Sequence, residues 1–232
     1  MLNQSPRTIG MVLFPGLTQL DLAGPYEVFA RMPNAQVHLI ASTMEPVRSE
    51  RGLTLMPDMT LAQSPPLDVL CVPGGPGVNA LMENESFLAW LRDQAAQARY
   101  VTAVCTGALV LGAAGLLRGY RATTHWLSLD LLPLFGAQPV EERVVIDRNR
   151  ITGGGVTAGI DFGLVVAAQL YGETTAQEIQ LMLEYDPAPP FQSGSPRTAD
   201  PALVEDVRRS RQRMQNERRM LAERAAARLE KI

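Results

Sequence analysis

Short apolar runs that end at glycine or proline turns, and that alternate with helical segments, constrain the fold of this chain most. The runs predict buried strands at residues 7–14, 36–41, 67–72 and 100–104. Further short strands are predicted at residues 53–56, 121–124, 142–147 and 151–152. Apolar residues at helical spacing predict helices at residues 20–32, 87–98, 106–117, 158–171 and 174–183. Such alternation is typical of an α/β three-layer sandwich, a mainly parallel sheet with helices on both faces.

Four turns rich in glycine or proline mark where a functional site is expected. They are Pro15-Gly16, residues 73–77, Cys105-Thr106 and residues 153–155, and each follows a predicted strand. In sheets of this kind, ligands bind beyond the carboxyl ends of the strands. The small residues allow the backbone to approach a ligand closely, so we expect the site where these turns meet.

The composition excludes several classes of function. The single lysine, Lys231, lies in the final residues, so Schiff-base chemistry and a lysine-dependent phosphate loop are both excluded. Two histidines and two cysteines give no credible zinc cluster, and we expect neither a metal nor a cofactor. A net charge of −3 does not favour a nucleic-acid partner. The first residues lack the pattern of a secretion signal, so a cytoplasmic protein without a membrane span is expected.

The last part of the chain predicts a long helix over residues 201–232, set apart from a catalytic domain over residues 1–195 by a segment rich in proline and polar residues. An apolar stripe along the helix consists of Val204, Val207, Met214, Leu221, Ala225 and Ile232. The stripe favours a helical arm over residues 200–232 that packs on its own or a partner subunit. A basic helix for nucleic acid is the alternative, but acidic residues interrupt its positive charge.

The junction at Cys105 carries the strongest chemical signal. A strand ends at Val104 and a helix is predicted to start at Thr106, so the thiol would project over the sheet edge. Unpaired N–H groups at the helix start favour a thiolate, which is the nucleophilic form of cysteine. The alternative is a buried structural cysteine, the role that the sequence predicts for Cys71 in the middle of a strand.

Several sequence strings support a resemblance to a known family. VCTGA at residues 104–108, CVPGGPG at 71–77 and ATTHW at 122–126 resemble the ThiJ/PfpI superfamily of flavodoxin-like proteins. FPGLTQLDLAGPYEVF at residues 14–29 and EYDPAPPF at 184–191 are similar to its isonitrile hydratase branch. The resemblance spans residues 7–191 and implies a homodimeric enzyme that hydrates an isonitrile to an N-substituted formamide.

The resemblance also implies roles for residues around the thiol. Cys105 would attack the isonitrile, Asp21 would supply the proton, and Thr106 would orient the intermediate. Because a carboxylate beside a thiolate would be a second anion in the same site, the pKa of Asp21 should be raised. Its alternative role is the N-cap of the first helix. Thr106 replaces the histidine that follows the nucleophile in many peptidase-like relatives, which argues against protease chemistry.

Other roles around the predicted site remain open at this stage. Backbone N–H groups of Gly74 and Gly75 are candidates to stabilise negative charge on the substrate, and His125 either contacts the substrate or is structural. Tyr185 would line the pocket or a subunit interface. A glyoxalase-like enzyme and a cysteine redox sensor are the alternative functions. A transcription regulator would need two helix-turn-helix units, for which the predicted single helix after Phe191 leaves no room.

Overall fold

A seven-stranded sheet forms the centre of the computed structural model, which describes residues 6–230. Its strands are β1 (Arg7–Val12), β2 (Ala35–Ala41), β5 (Met59–Thr60), β6 (Val69–Val72), β7 (Tyr100–Val104), β10 (Val144–Asp147) and β11 (Arg150–Gly153). Two small separate sheets consist of β3 (Val47–Arg48) with β4 (Thr54–Leu55), and of β8 (Arg121–Ala122) with β9 (Gln138–Pro139). The central order is β10-β11-β7-β6-β1-β2-β5, and only the β10–β11 pair is antiparallel. The predicted mainly parallel α/β sheet is confirmed.

Helices cover the sheet, and the last one extends along the molecule. They are α1 (Gln19–Phe29), α2 (Val78–Leu81), α3 (Glu85–Gln97), α4 (Gly107–Ala113), α5 (Ala158–Tyr171), α6 (Glu173–Met182) and α7 (Pro201–Leu229), with 3-10 helices at Leu61–Gln63 and Trp126–Phe135. Helix α1 packs on α5, and α5 packs on α6. Helix α4 packs on α7 and on the second 3-10 helix, which α7 also contacts.

Buried apolar side chains fill the space between the sheet and its helices. Strands β6 and β7 are almost entirely buried, as expected for central strands of a parallel sheet. Cys71, in the middle of β6, is fully buried in the hydrophobic core, as the sequence predicted. In the last helix, Leu221, Ala222 and Ala225 are buried against the same subunit. The final stripe residue, Ile232, lies outside the described residues.

Three sequence predictions of local structure were wrong. Residues 53–56 do not form an edge of the main sheet, because β4 pairs with β3 and the edge strand is β5. Only Arg121–Ala122 of the predicted strand at 121–124 is extended, and it pairs with β9. Helix α4 ends at Ala113 rather than at 117, because the chain turns at Gly115, whose φ is +78°. The 3-10 helix at Trp126–Phe135 was not predicted at all.

The strand order sets the position of the site. From β1 the chain runs through α1 to β2 on one side, and it later enters β6 on the other side of β1. A crevice is expected at such a reversal, outside the carboxyl ends of the strands. The segments that follow β1, β6 and β7 meet there, which brings Asp21, Gly74 and Cys105 into one place.

Candidate active site

Cys105 occupies a sharp turn between β7 and α4. Its φ is +54°, in the left-handed region that residues with a side chain rarely adopt. The backbone around it holds this conformation: the Cys105 N–H donates to the Gly153 carbonyl at 3.0 Å, and its carbonyl accepts from the Thr124 hydroxyl at 2.7 Å. A strained residue that its neighbours fix in this way is a common feature of functional sites. The predicted strand–turn–helix junction is therefore present.

Asp21 lies in the first turn of α1 and is fully buried. Its Oδ2 accepts a hydrogen bond from the Gly74 N–H at 3.0 Å. The Cys105 thiol is the neighbouring side chain that interacts with this carboxyl, although Oδ1 makes no well-formed hydrogen bond. The N-cap of α1 is Thr18, so the alternative role of Asp21 as an N-cap was wrong. A buried carboxyl that does not cap its helix is available for chemistry.

Gly74, Gly75 and Thr106 form a buried bridge between the turns after β6 and β7. The Gly75 N–H donates to the Thr106 hydroxyl oxygen at 3.0 Å, and that hydroxyl donates to the Gly75 carbonyl at 3.3 Å. A Cβ at Gly74 would lie 2.6 Å from the Thr106 nitrogen and 2.7 Å from Asp21 Oδ2, so only glycine fits. The N–H groups of both glycines are therefore engaged with the protein, which favours a role in positioning Asp21 and Thr106 over binding a developing anion.

The pKa values of the acid and the thiol are both perturbed. Burial, with a smaller contribution from the charge of Glu50, raises the pKa of Asp21 to about 7, in the direction that the sequence predicted. Burial and the Asp21 carboxylate raise the pKa of the Cys105 thiol well above its usual value. The Thr106 N–H lowers it, as expected at a helix start, but burial outweighs that effect. Because both shifts disfavour a second negative charge in this buried site, we infer that Cys105 and Asp21 together keep a proton near pH 7.

His125 lies at the edge of the site and serves as an N-cap. Its Nδ1 accepts from the Leu127 N–H at 3.3 Å, at the start of the 3-10 helix. Burial and the charges of Arg218 and Arg211 lower its pKa to about 4, so the ring is neutral near pH 7. A neutral ring whose Nδ1 caps a helix has a structural role, and only its second nitrogen, Nε2, is left to contact a substrate.

Arg218 is a site residue that sequence reasoning missed. It belongs to α7, is only 3% exposed, and donates from Nε to Asn79 at 3.1 Å and from Nη1 to Ser128 at 3.2 Å. Its charge acts on the Cys105 thiol. The sequence did contain a signal, because residue 218 falls between Met214 and Leu221 on the apolar stripe of α7. An arginine in a packing position of a helix is unusual and often has a specific partner.

Tyr185 directs its side-chain hydrogen bond to Asp161 rather than to Cys105 or Asp21. Its hydroxyl donates to Asp161 at 2.9 Å, and Arg143 forms an ion pair with the same carboxylate. Two cavities border α7: one of about 580 Å³ lies between α7 and the 3-10 helix, and one of about 120 Å³ lies beside residues 193–196. Neither is lined by Cys105, Asp21 or Thr106. With Cys105 only 4% exposed, access to its sulfur is narrow.

Two further features of the described residues bear on function. Within residues 6–230, no group of three or more histidine, cysteine, aspartate or glutamate side chains is arranged to hold a metal ion. Among the helices of the same part of the chain, none has the length and apolar character needed to cross a membrane.

Comparisons with known proteins find similar sequences and similar folds. The isonitrile hydratase of Pseudomonas putida is 58% identical over 221 residues, covering 95% of this chain and 97% of that protein. The HTH-type transcriptional regulator GbdR of Pseudomonas aeruginosa is 32% identical over 79% of this chain but only 52% of its own length. Among solved structures, a ThiJ/PfpI family protein from Pseudomonas syringae superposes with a TM-score of 0.92 at 44% identity, over 94% of this chain and 91% of that one.

Family membership follows from the same comparisons and from the elbow at Cys105. DJ-1beta from Drosophila melanogaster superposes with a TM-score of 0.72 at 27% identity, over 78% of this chain and all of that one. The sequence matches the DJ-1/PfpI family over residues 7–169, a range that holds all the residues of the site except Arg218. The chain belongs to the DJ-1/PfpI family.

Proposed function

We propose that this chain is an isonitrile hydratase that converts an isonitrile to an N-substituted formamide, with Cys105 as nucleophile. The observation that carries the proposal is the buried Cys105–Asp21 pair, in which the thiol lies beside a carboxyl whose pKa is raised to about 7. The near full-length similarity to the isonitrile hydratase of P. putida supports the choice of substrate. The alternative functions, a glyoxalase-like enzyme and a redox sensor, have no support that outweighs this similarity to an isonitrile hydratase.

The first half-reaction joins sulfur to the substrate. The terminal carbon of an isonitrile accepts an electron pair from the Cys105 sulfur, and a carbon–sulfur bond forms. The proton that Asp21 holds moves to that carbon, which gives a covalent thioimidate and leaves Asp21 as a carboxylate. A carboxyl with a pKa of about 7 donates and accepts protons with equal ease near neutral pH.

The second half-reaction adds water and releases the product. The Asp21 carboxylate takes a proton from a water molecule as its oxygen attacks the thioimidate carbon, and that proton passes to nitrogen. The carbon–sulfur bond then breaks, the sulfur departs with the electron pair, and the hydroxyl proton returns to the Cys105–Asp21 pair as the formamide leaves. The sum of both steps adds one water to the isonitrile and restores the enzyme.

The surrounding residues position this pair. The Gly74 N–H fixes one oxygen of Asp21, and the Thr106 hydroxyl ties the turn of Gly75 to the elbow. Placing the acid and the sulfur in a fixed geometry reduces the entropy that the reaction must lose. In this scheme Thr106 orients the intermediate through its backbone, because its hydroxyl is already engaged.

Turnover of an alkyl isonitrile, followed by the absorbance of the formamide, tests the proposal. We expect Cys105→Ala to abolish turnover and Cys71→Ala, the matched control in the core, to retain it. Methylglyoxal serves as the competing substrate, and mass spectrometry of an isonitrile-soaked sample should show an adduct on Cys105. Full activity in Cys105→Ala, or turnover of methylglyoxal alone, would contradict the proposal.

The same proposal includes a homodimer in the cytoplasm that acts on a small molecule, without nucleic acid or membrane. Both cysteines are free thiols, which is usual in the cytoplasm. Large apolar side chains are exposed after α5, including Leu181, Met182 and Phe191, and a second subunit would cover such residues. Light scattering after size-exclusion chromatography should give about twice the mass of one chain, 25.3 kDa, and a monomer would contradict this part.

A further inference from the structure

Arg218 is a buried cation whose side-chain hydrogen bonds, within residues 6–230, go to neutral groups. Its side chain is 3% exposed, and its hydrogen-bond partners are the amide oxygen of Asn79 and the hydroxyl of Ser128. Other arginines of α7, such as Arg219 and Arg224, form ion pairs with Asp130 and Glu83 at the surface. A buried charge without a counter-ion is costly, so an anion close to it is expected.

The partners of Arg218 place it between two segments that frame the nucleophile. Asn79 lies in α2, directly after the turn that holds Gly74 and Gly75. Ser128 lies in the 3-10 helix that begins at Trp126, and Thr124, two residues before that helix, donates from its hydroxyl to the Cys105 carbonyl. The guanidinium therefore connects α7 to both loops around the elbow.

We propose that Arg218 is a positioning residue whose buried guanidinium, delivered by α7 between the loops that flank Cys105, stabilises negative charge on the Cys105 sulfur. The Cys105 thiolate, formed when the thiol proton moves to Asp21 or to the substrate, would be the counter-ion of Arg218. The long C-terminal helix is in this way part of the active site. The inference rests on the proposed nucleophilic role of Cys105, but its test does not require isonitrile turnover.

The charged groups around the pair limit which residues can produce this effect. The thiol is influenced by Asp21 from α1, by the Thr106 N–H and by Arg218 from α7. Arg218 is influenced in turn by Cys105 and by Glu217 on its own helix. His125 is held neutral near pH 7, in part by the charges of Arg218 and Arg211. Among these groups Arg218 supplies the side-chain cation that acts on the sulfur.

The rate at which iodoacetamide alkylates Cys105, measured from pH 6 to pH 10, tests the role directly. Loss of a unit charge at a partly screened site corresponds to about one pKa unit, so Arg218→Gln should slow alkylation at pH 7 about tenfold and shift the profile to higher pH. Arg218→Lys, which keeps the charge, should restore most of the rate. Arg219→Met, which removes a neighbouring surface cation from the same helix, should leave the profile unchanged.

A second variant keeps the test valid if Arg218→Gln does not fold. Asn79→Asp leaves the arginine in place but gives it a carboxylate partner, and it should slow alkylation in the same way. Asn79→Ala is its neutral control. Profiles of Arg218→Gln or Asn79→Asp that coincide with the wild type would overturn the inference. Rapid, Arg218-dependent alkylation without isonitrile turnover would support it and contradict only the proposed substrate.

Discussion

Replacing Asp21 by asparagine should make the protein more stable at neutral pH while it removes most of the activity. Burial raises the pKa of Asp21 from 3.8 to about 7. In the unfolded chain the carboxyl ionises freely, whereas in the folded protein its charged form is disfavoured. The stability that the protonated acid provides is therefore complete below pH 3.8 and is lost as the pH rises through about 7.

The size of the effect follows from the same values. Each pKa unit corresponds to about 1.4 kcal/mol, so a rise from 3.8 to about 7 makes the ionised form cost about 4 kcal/mol in unfolding free energy. Asparagine cannot ionise, and its side-chain oxygen can still accept from the Gly74 N–H. The stability difference between Asp21→Asn and the wild type should thus be small at pH 4 and grow to about 4 kcal/mol at pH 8.

Urea denaturation of both proteins at pH values from 4 to 8 measures this difference. His125, whose lowered pKa makes stability fall as the pH drops from 6.5 to about 4, affects both proteins equally and cancels. Asp147→Asn is the matched control. The hydrogen bond from Arg148 lowers the pKa of Asp147, so the difference in unfolding free energy between Asp147→Asn and the wild type should be constant above pH 5. Turnover by Asp21→Asn should fall at least about a hundredfold. A stability difference independent of pH would refute the reasoning.

Three further substitutions test the surroundings of the pair. Thr106→Val leaves the Gly75 N–H without its acceptor and should cost about 1–3 kcal/mol in urea denaturation, together with a lower kcat/KM. Gly74→Ala forces a Cβ to within 2.6 Å of the Thr106 nitrogen and should destabilise by about 1–3 kcal/mol; an unchanged midpoint would show that the turn can relax. His125→Gln should leave the shape of the kcat/KM profile between pH 5 and 8 unchanged, because a ring with a pKa of about 4 does not titrate there; loss of an inflection in the variant would assign it to His125.

The sequence predicted the parts of the site that short segments determine. A buried strand followed at once by a glycine-containing helix start is enough to place a side chain at a sheet edge, and Cys105 is found there with a positive φ. The sequence predicted the direction of the Asp21 pKa shift from the neighbouring thiol, but in the structure burial is the main cause, and the hydrogen bond of Cys105 lowers the pKa. The sequence predicted an ionised thiol from the N–H groups of the helix start alone. In the structure, burial raises the pKa of the thiol and opposes that ionisation.

Contacts between distant segments were not predictable in the same way. Nothing local to Gly74 or Gly75 indicates that their N–H groups donate to Asp21 and Thr106, which lie 53 and 31 residues away. Because both donors have acceptors within the protein, a positioning role is favoured over the anion-binding role that the sequence suggested. The 3-10 helix at Trp126–Phe135 was missed because no single period extends through it: Leu127, Leu129 and Leu131 alternate with polar residues, but Leu132 directly after Leu131 breaks the alternation.

The last helix shows how a pattern can be identified correctly and still be interpreted too narrowly. Its apolar stripe predicts packing, and Leu221 and Ala225 do pack on the subunit. Arg218 occupies the same stripe one turn earlier, where an apolar residue would bury its side chain without cost. A buried arginine there is costly unless something nearby carries negative charge, and in the proposed mechanism the Cys105 sulfur does so during the reaction. On that proposal, the residue that interrupts the stripe is the one that connects the helix to the chemistry.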